Sequence, residues 1–363
     1  MSSKKCPFRL GAFLLLTVFV SVTSCKKNTG TYTQNPMLNG NYVQTNLVSD
    51  TTDFGAAKKD PALVNAWGLA INPKGIMWIS GNGAGVTAVY DTNGNTLLNP
   101  VNMPFQGAAK ASAPSGIVFN PTPGFVIPSS QKKSLFIWAT ENGAVEAWAG
   151  GDSATTTVVD NSGQGSVYKG IAIASNNGTN YLYATDFHNG KINVFDQNFN
   201  AVPSITLNDP NIPANYAPFN IACFGGRLFV TYAFQKAGAH DDSAGAGHGF
   251  VDIYSPSGAL MKRFASQGPL NSPWGLAWVP DNGFGTPAHS ILVGNFGDGR
   301  INAFDSTGSF LGSLQSNGMP LSIEGLWALE FGNIIPGANP DKLYFTAGPM
   351  RENHGLFGYV LWQ

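Results

Sequence analysis

The chain has 363 residues, 20 of them basic and 21 acidic, for a net charge of −1. Its 44 Gly and 23 Pro are about one residue in five, with only 11% charged and 43% hydrophobic residues. This balance excludes disorder, coiled coils and an electrostatic nucleic-acid footprint, and it favours many short strands joined by turns around one large core.

Residues 1–24 read as an address. Lys4, Lys5 and Arg9 precede an apolar run from Leu10 to Val20 that is too short for a normal spanning helix. The run ends in Ser21-Val22-Thr23-Ser24-Cys25, which resembles a bacterial lipobox. The resemblance implies cleavage before Cys25, lipidation of that thiol, and an exported lipoprotein of the cell envelope, at the outer membrane. The competing reading is plain secretion with an incidental cysteine. Residues 25–40, rich in Thr, Asn and Gly, read as a flexible tether. With Cys6 removed and Cys25 lipidated, Cys223 is left alone, so no internal disulfide is expected and stability must come from packing.

Residues 41–363 read as one repetitive domain. A unit that opens on a residue before Gly-apolar-Ala recurs six times, at Trp67-Gly68, Ser115-Gly116, Lys169-Gly170, Phe219-Asn220, Trp274-Gly275 and Glu324-Gly325. The spacings are 48, 54, 50, 55 and 50 residues, a period that with several short strands per unit means propeller blades. The third unit is the clearest: Tyr181–Asp186 and Lys191–Asp196 alternate apolar and polar residues on either side of Asn189-Gly190, which is a hairpin pattern. Ile291–Asn295, Asp298-Gly299 and Arg300–Asp305 repeat it. These units resemble NHL-type blades, and the resemblance implies an all-β, six-bladed β-propeller. Asn41–Val48 alternates like a strand but belongs to no unit, so it is expected to close the ring as the outer strand of the last blade, outside Leu356–Trp362. Asp60–Ala70, His240-Asp241-Asp242 and His354–Gly358 together resemble an uncharacterised family of exported bacterial propeller proteins.

Chemistry is sparser. Nucleophile elbows, HExxH, P-loops, paired CxxC and dinucleotide fingerprints are all missing from the sequence. Gly81–Gly85 reads as a tight strand turn, because no helical pattern follows it. In a propeller, residues at strand ends near the axis line the channel. The channel candidates are Trp67, Lys169, Asn220, Trp274 and Glu324 at blade openings, with Glu141, Asp186 and Asn295 at the ends of second strands. Trp67 and Trp274 are placed either to stack on a sugar or to stiffen the core.

Glu324-Gly325-Leu326-Trp327 also resembles the Glu-Gly-Pro-x-Trp start of the regucalcin and gluconolactonase group, although the Pro is replaced. That resemblance implies a divalent metal on Glu324. Glu324, Asn220 and Asn295 offer oxygens that suit calcium, while in the competing reading strand-end Asp and Asn cap turns and Lys169 pairs with Glu324. The loop His240-Asp241-Asp242 with His248 is a second candidate metal set, set against a solvent-exposed rim loop. No metal or other cofactor is favoured, with calcium as the alternative. The reading is an exported, lipid-anchored, monomeric module that meets the membrane through Cys25 and binds a small molecule, a glycan or a protein, and no nucleic acid. The alternative is a metal-dependent hydrolase or lactonase using the channel.

Overall fold

The computed structural model of the chain describes residues 38, 40–104, 112–332 and 341–363. The expected signal segment, Cys25 and the tether up to residue 37 lie outside the described residues. The domain is a six-bladed propeller, each blade a sheet of antiparallel strands whose first strand lies nearest the axis, with the short strand Lys58–Lys59 added in parallel at the edge of blade six. Those innermost strands are Ala66–Ile71, Pro114–Phe119, Tyr168–Asn176, Tyr216–Phe224, Pro273–Trp278 and Leu326–Phe331. Their residues are mostly buried and apolar, as expected of strands enclosed on both faces.

Ring closure follows the expected route. Tyr42–Ser49 pairs antiparallel with Leu356–Trp362, which in turn pairs with Lys342–Ala347, so the N-terminal strand is the outer strand of blade six. Tyr42 donates its hydroxyl to the Phe284 carbonyl of blade five at 2.7 Å, which ties the closure strand to the neighbouring blade. Both free sheet edges of an open ring are thereby removed.

Register within the innermost strands fixes what faces the axis. In every blade a bulge falls between the first residue and the channel-facing one, as between Ala66 and Leu69 or between Leu326 and Leu329. In blades three, four and six a Thr hydroxyl on the second strand accepts the bulge N–H, at Gly170 from Thr185, Asn220 from Thr231 and Ala328 from Thr346. The register corrects one opening: blade six begins on Trp327-Ala328-Leu329, equivalent to Trp67-Gly68-Leu69, and not on Glu324-Gly325.

The position of Gly68 explains the need for small residues there. A Cβ on Gly68 would lie 2.3 Å from the Ser115 carbonyl of blade two, and one on Gly170 would lie 2.7 Å from the Asn220 Cα of blade four. Neither glycine has a positive φ, so close approach and not backbone freedom selects them. Above this layer stand Trp67, Ser115, Lys169, Phe219, Trp274 and Trp327, and below it stand Leu69, Ile117, Ile171, Ile221, Leu276 and Leu329. We call the end where first strands begin, and where second and third strands are joined, the upper face.

Candidate functional site

The channel is closed at mid-height by aromatic packing. Trp327 is sandwiched between Trp67 and Phe296, with ring centroids 3.7 and 4.0 Å away and nearly parallel planes. Trp274 meets Trp67 and Trp327 edge-on, and Phe219 packs on Trp327 at 5.9 Å. Trp67 is 1% exposed and Trp274 4%, so neither offers a face for sugar stacking, and the core role holds for both. The two Trp274 contacts are T-shaped pairs, each worth roughly 0.5–1.5 kcal/mol beyond burial.

Among the described residues, Lys169 is the one cation of this layer. Its side chain is 2% exposed, and its ammonium lies 5.0 Å over the Trp67 ring. It pairs with Glu141 and stands 3.8 Å from Asp241. Glu141 therefore does what the competing turn reading assigned to Glu324. The second Glu141 oxygen accepts the Asn82 amide at 2.9 Å. Asn65 extends the chain of contacts by donating to Asn82 at 3.2 Å and to Glu352 at 2.9 Å, while its carbonyl accepts the Trp327 indole N–H at 3.0 Å.

This polar cluster draws on five blades, and nearly all of it comes from turns joining second to third strands. Asn82 lies in the blade-one turn, a single 3-10 turn over Asn82–Ala84, and Glu141 in that of blade two. His240 and Asp241 come from the long blade-four insertion, and Glu352 from blade six. Met350, Arg351 and Glu352 are three successive non-glycine residues with φ of 55°, 57° and 67°, strained backbone that places Glu352 at the mouth. Burial, reinforced by repulsion from Glu141, raises the Glu352 carboxyl above its ordinary range. The 2.7 Å contact with His240 pulls the Asp241 carboxyl down to about 2, and the same contact raises the His240 imidazole. Asp241 and His240 are each 56% exposed and form the solvent side of the cluster.

The sequence candidates divide accordingly. Lys169, Glu141, His240 and Asp241 converge. Asp186 instead caps the turn before Lys191, accepting from Ser166 at 2.8 Å and Asn189 at 2.9 Å. Asn220 donates to the Trp274 carbonyl at 2.7 Å, and Asn295 to the Pro269 carbonyl at 2.8 Å. Glu324 is exposed and accepts the Met350 N–H at 3.1 Å. Their side chains engage three separate partners, so the calcium set Glu324, Asn220 and Asn295 is not assembled. Asp242 is buried beside Ser272, with its carboxyl raised by desolvation, and His248 points back to the Ser243 carbonyl at 2.8 Å, so the loop set does not converge either. His354 bonds Asp50 at 2.9 Å and pins the closure strand.

A different metal-compatible group is present: ligand atoms of Glu141, His240 and Asp241 lie within 4.8 Å of one another. The Lys169 ammonium already pairs with Glu141 and stands 3.8 Å from Asp241, so a divalent ion there meets like charge at close range. Asn65 and Glu352 were missed by the sequence reading. Asn65 was findable as the residue three positions before the first blade-opening glycine.

No protein-family model matches the chain. The uncharacterised protein R648 of Acanthamoeba polyphaga mimivirus is 36% identical over 326 residues, covering 86% of this chain and 78% of that protein. A second uncharacterised mimivirus protein, L690, is 35% identical over 321 residues, covering 84% and 82%. The chain belongs to the family of these mimivirus proteins. Among solved structures, a Bacteroides thetaiotaomicron protein of unknown function matches with a TM-score of 0.56 at 11% identity, over 88% of this chain and 76% of that one. A streptogramin B lyase matches with 0.53 at 12%, over 90% and 99%. At these identities the likeness is one of fold, and both share the propeller.

Lys169→Met leaves Glu141 desolvated without its cation and is expected to cost about 3–5 kcal/mol in denaturant unfolding. Adding Glu141→Gln should recover most of that loss. A single-variant cost below about 1 kcal/mol, or no recovery in the double variant, would show the pair to be energetically idle.

Proposed function

We propose that the chain is an exported, lipid-anchored binding module that takes a small polar molecule or glycan at its upper mouth. The observation that carries the reading is the buried Lys169 ammonium, held by Glu141 beneath the exposed His240 and Asp241 pair. The aromatic layer below already fills the axis, so ring closure does not require a charged cluster there. Ionisable groups gathered from separate turns with shifted protonation mark a site rather than a scaffold. Asp241 and Glu352 bring carboxylate oxygens to the mouth, which suits a ligand rich in hydroxyl or amine donors.

The second reading, metal-dependent hydrolysis, is favoured by one observation, the grouping of Glu141, His240 and Asp241. It requires an ion to displace the Lys169 ammonium from Glu141. A thermal-shift screen of the full chain against polyols, sugars and amines, with CaCl2 and ZnCl2 as parallel arms, separates the two. The binding-module reading expects a saturable rise in Tm with an organic ligand that Asp241→Asn abolishes. A rise with a metal alone, removed by the same substitution, would transfer the site to the hydrolase reading. No rise with any probe would contradict both.

Anchoring rests on Lys4, Lys5, Arg9, the apolar run and the Ser21–Cys25 segment. Cys25→Ser should move the protein from the membrane fraction to a soluble exported one, because a diacylglyceryl group is the only strong anchor the sequence offers. Unchanged membrane partition would remove the anchor from the account.

A further inference from the structure

Below the tryptophans the channel widens into a cavity of about 350 Å³, walled by one branched aliphatic residue from each blade: Leu69, Ile117, Ile171, Ile221, Leu276 and Leu329. It extends from Trp274 toward the lower face, where Pro121 and Phe224 line it. Its size falls in the range of small-molecule pockets and holds on the order of ten water-sized groups. One carboxylic acid stands in this wall. Glu330 replaces the small or aliphatic residues Ala70, Val118, Ala172, Ala222 and Ala277 found at the same strand position in the other five blades. The surface it keeps belongs to the cavity, and desolvation pushes its carboxyl up to about 8 even though it accepts the Ile71 N–H. No cation lies among the lining residues, and the other titratable one is the Cys223 thiol, itself raised by burial.

A lone acid in an aliphatic cavity is costly as a carboxylate and inert as an apolar wall, unless its partner arrives with the ligand. We propose that this lower cavity is a second binding site, separate from the upper mouth, for a hydrophobic primary amine whose chain lies along the aliphatic ring and whose ammonium pairs with Glu330. Binding at neutral pH then releases the Glu330 proton to solvent, leaving one carboxylate and one ammonium in the complex.

Isothermal titration of the full chain with n-octylamine, n-octanol and octanoate tests this directly. The expected result is 1:1 binding of octylamine, at least about tenfold tighter than octanol or octanoate, as a charge-assisted contact predicts. Repeating the titration in buffers of different ionisation enthalpy at pH 7 should show close to one proton released per amine bound. Glu330→Gln keeps an acceptor for the Ile71 N–H and should lower amine affinity to the octanol level, while Ile171→Trp should fill the cavity and abolish binding of all three. Equal affinity for the three probes, amine binding retained in Glu330→Gln, binding without proton release, or no saturable binding in the unaltered chain would each overturn the proposal.

Discussion

The close approach of six innermost strands around the axis governs this molecule. Gly68 lies against the Ser115 carbonyl, Gly116 against Gly170 and Ile171, Gly170 against Asn220, and Gly275 against the Trp327 carbonyl. Asn220 departs from the rule and turns the departure into a contact, donating its amide to the Trp274 carbonyl of the next blade. Ala328 completes the series, and there Thr346 bridges from blade six to the Trp67 carbonyl. Each blade therefore meets the backbone of the next at this layer, and the order of side chains above and below the interlock is fixed by strand register alone. Large aromatics fall just above it and branched aliphatics just below, which divides the channel into a polar upper mouth and an apolar lower chamber.

The electrostatics follow from that division. The aromatic layer is desolvated, so the single ammonium placed in it, that of Lys169, needs a carboxylate within contact distance. No innermost strand supplies one. The turns between second and third strands do, because they are the chain segments that overhang the mouth: Glu141 from blade two, Asp241 from blade four and Glu352 from blade six. The long insertion of blade four provides the outermost groups, His240 and Asp241, while the strained Met350–Glu352 segment brings Glu352 in against Asn65. The chamber beneath has the opposite character, with Glu330 as the one acid and no cation among its described lining residues.

Blade number, hairpin positions and the closure strand were all legible in the sequence, because each rests on local alternation, turn residues and a repeat period. The opening of blade six was not. Glu324-Gly325-Leu326 copies the motif in one-letter terms, but Gly325 has a φ of +68° and serves a turn, whereas Gly68 and its equivalents serve close approach. Identical residues with different physical jobs defeat pattern matching, and the misplaced register carried Glu324 into a channel it does not enter. The mouth was half legible: Lys169 and Glu141 came from strand ends, while their mutual pairing, Asn65 and Glu352 depend on how non-repeating turns converge in space. Glu330 was hidden because a single acid in an otherwise apolar strand reads as an exposed position on an alternating pattern.

If the axial interlock is the controlling constraint, adding one methyl group inside it must cost far more than adding one elsewhere. Guanidinium unfolding of Gly170→Ala against Gly163→Ala makes the comparison, since a Cβ at Gly163 meets nothing within 4 Å and one at Gly170 meets the Asn220 backbone at 2.7 Å. The account predicts a loss of about 2 kcal/mol or more for Gly170→Ala and a change within about 0.5 kcal/mol for Gly163→Ala. Equal effects of the two substitutions would contradict it.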